Sequence, residues 1–123
     1  MIVESRLLRK GKKFSLYELL VNGRSQVREF YEGLEENVQD DIYAVLESIL
    51  EFGPLERQKY FVPEREGIFA IKHKQDQVRI YCFYDDKSII VLAHGVIKKT
   101  QKADPKILRK CIDLKNKYFQ QKR

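Results

Sequence analysis

The stretch that decides the fold is Gly67–Ile97, GIFAIKHKQDQVRIYCFYDDKSIIVLAHGVI, in which the apolar period falls to two. It divides into GIFAIKHK, QVRIYCFY and SIIVLAHGVI, separated by polar turns around Gln75-Asp76 and Asp85-Asp86-Lys87. Three runs with such short connections predict an antiparallel meander. The last run, Ser88 to Ile97, is almost continuously apolar, which suits a central strand covered on both faces.

On the N-terminal side the period is helical. Val27, Phe30, Tyr31 and Leu34 form one stripe behind Ser25, a residue type that caps helices. Beyond a polar break, Val38, Ile42, Val45, Leu46, Ile49 and Leu50 repeat the spacing, and Gly53-Pro54 supplies the stop. Farther out, FSLYELLV (Phe14 to Val21) reads as a strand ended by the turn pair Asn22-Gly23. On the C-terminal side Asp104 and Pro105 can open a last helix bearing Ile107, Leu108, Cys111, Ile112, Tyr118 and Phe119. The expected fold is therefore α+β in the order β-α-α-β-β-β-α: a helical hairpin on a small, antiparallel-rich sheet, with a C-terminal helix. Residues 1–123 form one domain, and 1–13 are a basic N-terminal extension.

A chain of 123 residues with 43% hydrophobic composition can bury a core unaided by disulfide or metal. No run of about 18 apolar residues is present and the N-terminus lacks an apolar leader, which predicts a cytoplasmic protein with no membrane partner. Cys82 and Cys111 are far apart and outside any CxxC pair, so they read as core fillers. Charge is segregated: 1–13 carries five basic residues and one acidic, whereas Glu29–Glu51 carries eight acidic residues and no basic one. Such polarity predicts one basic face for a polyanion and an acidic face turned elsewhere.

Candidate functional groups concentrate in the meander. At its exit, His94-Gly95-Val96-Ile97-Lys98-Lys99-Thr100-Gln101-Lys102 releases adjacent lysines from a strand end, where rigid support suits phosphate binding and a solvated lysine-rich turn is the plain alternative. Arg79 lies in mid-strand, facing the same way as Tyr81 and Phe83, and so needs an anion, either an internal carboxylate or a ligand phosphate. Lys72 and Lys74 alternate with His73 on the neighbouring strand. His73 and His94 titrate near neutrality, although either can be a packed or solvated strand residue. No catalytic triad order, paired carboxylates, Gly-rich phosphate loop or zinc motif appears, and no cofactor is expected.

The order of elements and these motifs resemble the RelE/ParE toxin superfamily, and within it the HigB-like, phage-derived group. The resemblance spans about Phe14 to Phe119. It rests on Glu51-Phe52-Gly53-Pro54-Leu55, Gly67-Ile68-Phe69, Val78-Arg79-Ile80-Tyr81 and, most specifically, the His94–Lys102 block with Asp104-Pro105 after it. Two positions depart from that group: Ala70-Ile71-Lys72 replaces a Glu-Leu-Arg-like triplet, and Val96 stands where an aromatic is usual. Lysine keeps the charge there but not arginine's bidentate geometry.

The resemblance implies the toxin of a toxin-antitoxin pair, a ribosome-dependent and metal-free endoribonuclease in which the messenger's 2′-hydroxyl attacks the adjacent phosphorus. Arg79, Lys98, Lys99 and Lys72 would be catalytic, while Lys74, Lys102, Lys12, Lys13 and His94 would bind RNA. The implied partners are the ribosome, messenger RNA and a cognate antitoxin of helix-turn-helix type. Two other readings share the fold: a ParE-type toxin acting on gyrase through protein contact, and a phage-derived protein that binds nucleic acid without cutting it.

Overall fold

In the computed structural model the described residues are 1–54, 59–73, 77–97 and 105–122. They form an α+β protein with a six-stranded mixed sheet and three helices. The elements are β1 (Val3–Lys10), β2 (Ser15–Val21), α1 (Gln26–Glu32), α2 (Glu36–Phe52), β3 (Phe61–Arg65), β4 (Ile68–His73), β5 (Val78–Asp86), β6 (Ile89–Ile97) and α3 (Pro105–Gln121). Across the sheet the order is β1-β2-β6-β5-β4-β3, with β2 parallel to β6 and the other neighbours antiparallel.

The expected meander is β4-β5-β6, and β6 is central. Its Ile90 and Leu92 join the core under α1 and α2, whereas Val91 and Ala93 join the core under α3. A strand alternating between two cores must be apolar at nearly every position, which explains the unbroken run. All six stripe residues of α2 are buried. Ser25 caps α1 by accepting the Arg28 N–H at 3.1 Å. Gly53 ends α2 at a φ of 94°, a conformation glycine adopts without a Cβ penalty. On α3, Leu108, Cys111, Ile112, Leu114 and Tyr118 are buried, so the helix docks on the face opposite the hairpin. Both cysteines are buried, and burial pushes their thiols up, that of Cys111 to about 12.

Two strands correct the expected order. Residues 1–13 are not simply an extension, because Val3–Lys10 is the edge strand β1, pairing from Val3↔Val21 to Lys10↔Ser15. Its sequence hides this, since VESRLLRK is exposed along most of its length and Leu8 interrupts the register. At the other edge, β3 contains Pro63, which removes a ladder donor and is tolerated there because an edge strand leaves one side unpaired. Gly95 lies within β6, two residues before its end. A Cβ at this position would collide with the ring of Phe30, so glycine allows α1 to lie directly on β6.

A buried carboxylate fastens the β1 side. Glu18 of β2 points toward the hairpin with its side chain 1% exposed. It accepts from Arg28 Nε at 3.0 Å and Nη2 at 2.7 Å, and from Arg6 Nε at 2.9 Å. Burial alone would raise its pKa, but hydrogen bonds from Arg28, Ser25 and Arg6 outweigh burial and hold it at about 2. Because the folded value lies below the ordinary 4.5, this contribution is complete above pH 4.5 and is lost as pH falls through 2. Urea unfolding of wild type and Glu18→Gln should therefore show a stability difference that shrinks by up to about 3 kcal/mol between pH 5 and pH 2. Parallel curves would show that the carboxylate is not held in this way.

Candidate functional site

The functional candidates meet where β6 ends. In the ladder Lys72 is opposite Arg79, and Arg79 is opposite Val96, giving one row across β4, β5 and β6. The next row is Ala70, Tyr81 and His94. Tyr81 and Ala70 pack in the core under α3, which places the side chains of both rows on that face.

His94 reaches this face through a bulge. Tyr81 pairs with His94 while Cys82 pairs with Leu92, so Ala93 has no partner residue and two successive residues turn the same way. Without that step His94 would lie with Leu92 on the hairpin side. The imidazole is half-buried, and its Nδ1 lies 2.7 Å from the Gly95 carbonyl oxygen. A carbonyl only accepts, so Nδ1 carries the proton and the neutral ring keeps its lone pair on Nε2. Burial lowers the His94 pKa, the Gly95 carbonyl acts in the opposite sense, and the Lys110 ammonium on α3 lowers it further. The group is thus a neutral imidazole at pH 7 beside a cation.

Of the two anions open to Arg79, the structure supplies the internal one. Its Nη1 donates to Glu64 of β3, with both side chains mostly buried. Glu64 was not among the candidates, since the PER segment of β3 does not read as a strand. Its carboxylate fixes the guanidinium on the α3 face, in the row flanked by Lys72 and Val96. Lys72 is half-buried, and its backbone N–H donates to the Tyr60 carbonyl at 2.8 Å.

The other candidates separate. His73 is on the hairpin face, buried, with Nε2 2.8 Å from Asp41 Oδ2 of α2, and so joins sheet to helix. Lys12 and Lys13 are exposed in the β1–β2 turn, which hydrogen-bonds the Leu50 carbonyl at the end of α2. That turn is beside Ser15, which pairs with Ile89 at the start of β6. The Arg79 row crosses β6 at Val96, so roughly 23 Å of strand lies between the two at about 3.3 Å per residue. The lysine turn and the His94 row therefore occupy opposite ends of the sheet. Lys74, Lys98, Lys99 and Lys102 lie outside the described residues.

Fold and site together define a small α+β protein whose sheet carries, at one end and on one face, a lysine, an anchored arginine and a neutral histidine. The model of the Gp49-like phage-derived proteins (DUF891) matches residues 29–115, most of the chain, and the chain belongs to that family, a branch of the RelE/ParE-like toxin superfamily. The matched span begins within α1, so β1 and β2 precede it. No curated protein matches the chain. Among the described residues no helix is long and apolar enough to cross a membrane.

The electrostatics of His94 can be read directly. Heteronuclear NMR should find His94 titrating below the ordinary 6.5, as the Nδ1–H tautomer, and Lys110→Ala should move the titration upward. A value at or above 6.5, or no response to Lys110→Ala, would contradict the described surroundings.

Proposed function

We propose that this chain is the toxin of a toxin-antitoxin pair and an endoribonuclease that cuts messenger RNA on the ribosome. The observation that carries the reading is the gathering of Lys72, Arg79 and His94 on one face, at the strand end from which the chain runs on to Lys98 and Lys99. A phosphodiester seated there meets a cation and a base from a rigid support.

In this mechanism Nε2 of His94 takes the proton of the messenger's 2′-hydroxyl, whose oxygen attacks the adjacent phosphorus. The P–O5′ bond then breaks, the departing 5′-oxygen takes a proton from water and the His94 imidazolium returns its proton to solvent, leaving a 2′,3′-cyclic phosphate and a 5′-hydroxyl. Arg79, oriented by Glu64, stabilises the charge that develops on the phosphoryl oxygens, a role that Lys72, Lys98 and Lys99 share. Lys74 and Lys102 hold the flanking RNA. The basic turn at Lys12 and Lys13, at the far end of the sheet, contacts ribosomal RNA through salt-sensitive attraction. A cognate antitoxin of helix-turn-helix type completes the set of partners.

The Arg79–Glu64 ion pair gives a second reading its specific support. A guanidinium already neutralised by a carboxylate has less need of a phosphate, as expected for a ParE-type toxin that acts through protein contact or a binder that does not cut.

Primer extension on messages from cells expressing the chain separates the two. The ribonuclease reading expects discrete cuts, with cleavage reduced about 100-fold or more in folded His94→Ala and Arg79→Ala proteins. Intact messages during growth arrest, or undiminished cutting by both folded variants, would overturn it.

A further inference from the structure

The β1 edge of the sheet has features that the ribonuclease reading leaves unused. Val3 donates its N–H away from β2, to Oε1 of Gln121 at 2.8 Å, whereas the Ile2 carbonyl accepts from Asn22 on the β2 side. By the two-residue period of an antiparallel ladder, Ser5 and Leu7 turn their N–H and C=O groups outward as well. Among the described residues no strand pairs with that outer side. Gln121 covers the edge at its start, accepting from Val3 and donating to the Met1 carbonyl at 2.9 Å, and stops short of Ser5 and Leu7.

Beside this edge, on the hairpin face, is a cavity of about 290 Å³. Leu8 and Arg9 of β1 form its outer wall, and Tyr43, Leu46 and Leu50 of α2 form the opposite one. The Leu8 bulge turns both Leu8 and Arg9 inward, and Arg9 bonds Tyr43 Oη and, at 3.2 Å, Glu47. Leu7, Leu8 and Tyr43 remain 50%, 37% and 43% exposed. An unpaired row of backbone groups next to an apolar cleft is the arrangement that strand addition uses: main-chain bonds give affinity, and an alternate side chain enters a pocket.

Charge selects the occupant. Between Val3 and Lys10 the strand has Arg6, Arg9 and Lys10 against Glu4 alone. A second copy would bring like charges together, a known defence of edges against self-pairing. RNA is disfavoured as well, since the outward-facing groups of β1 are backbone amides and carbonyls beside apolar surface, which complement another peptide strand and not a phosphate backbone. We propose that the outer side of β1 binds an extended acidic segment of a partner protein as a seventh strand, with one apolar side chain of that segment filling the cleft between Leu8 and Tyr43. The proposal stands independently of whether the protein cuts RNA.

The test is a display library of random twelve-residue peptides, selected against the full-length protein and counter-selected against Leu7→Pro, which removes an outward donor from an edge where proline is tolerated. Enriched sequences should carry Asp or Glu at alternate positions around one large apolar residue. A synthetic peptide of the leading sequence should bind wild type at least tenfold more tightly than Leu7→Pro. It should also bind at least tenfold more tightly than Leu8→Asp, which keeps the backbone donors and places a repelling charge in the cleft, and it should slow amide exchange at Ser5 and Leu7. Enrichment of sequences without acidic alternation, equal binding to wild type and Leu8→Asp, or protection of Ser5 and Leu7 by single-stranded RNA or a second copy instead of the peptide would overturn it.

Discussion

The structure depends on burying β6 on both faces. One strand supplies Ile90 and Leu92 to the core under α1 and α2, and Val91 and Ala93 to the core under α3. Two cores sharing one strand leave little freedom in its register, because a slip by one residue would exchange the two sets of side chains. The strand's neighbours are held by the same requirement, β2 running parallel on one side and β5 antiparallel on the other. Helices then have to cover each face, which is why α3 docks where the hairpin does not.

Chemistry enters where that regularity breaks. The extra residue at Ala93 turns His94 from the face of Leu92 to the face of Arg79, so one bulge brings a neutral imidazole into the row beside an anchored guanidinium and a lysine. Bulges commonly re-aim side chains near functional sites, and here the packing of Val91 and Ala93 against α3 keeps it in place. Glycine at 95 serves the same region from the other side, giving the Phe30 ring room to press on β6. Strand end, bulge and helix packing therefore form one mechanical unit beneath the proposed phosphate site.

Much of this was legible in the residues. The α2 stripe, the Ser25 cap, the Gly53 stop and the doubly buried β6 follow from local periodicity and capping chemistry. Both missed strands are edges, where burial writes no alternation: β1 is mostly exposed and broken at Leu8, and β3 contains Pro63. At the site, the direction of Arg79 was readable from alternation with Tyr81 and Phe83. Its partner was not, because Glu64 reaches it from a strand that sequence did not reveal. RNA contact for His94 is what the resemblance implies, while its tautomer comes from the Gly95 carbonyl and its lowered pKa from burial and from Lys110 on a helix distant in sequence. Grouping Lys12 and Lys13 with the same basic face followed net charge, which carries no information about the two ends of a sheet.

The central claim is that a phosphodiester binds on the α3 face where β6 ends. The most direct measurement is amide and side-chain NMR of the labelled full-length protein titrated with short single-stranded RNA at low salt. The account predicts that shifts concentrate at Lys72, Arg79, His94 and the residues following Ile97, and that they vanish in Arg79→Ala. Shifts confined to Arg6–Lys13 or to the hairpin face, with the His94 row unmoved, would contradict it.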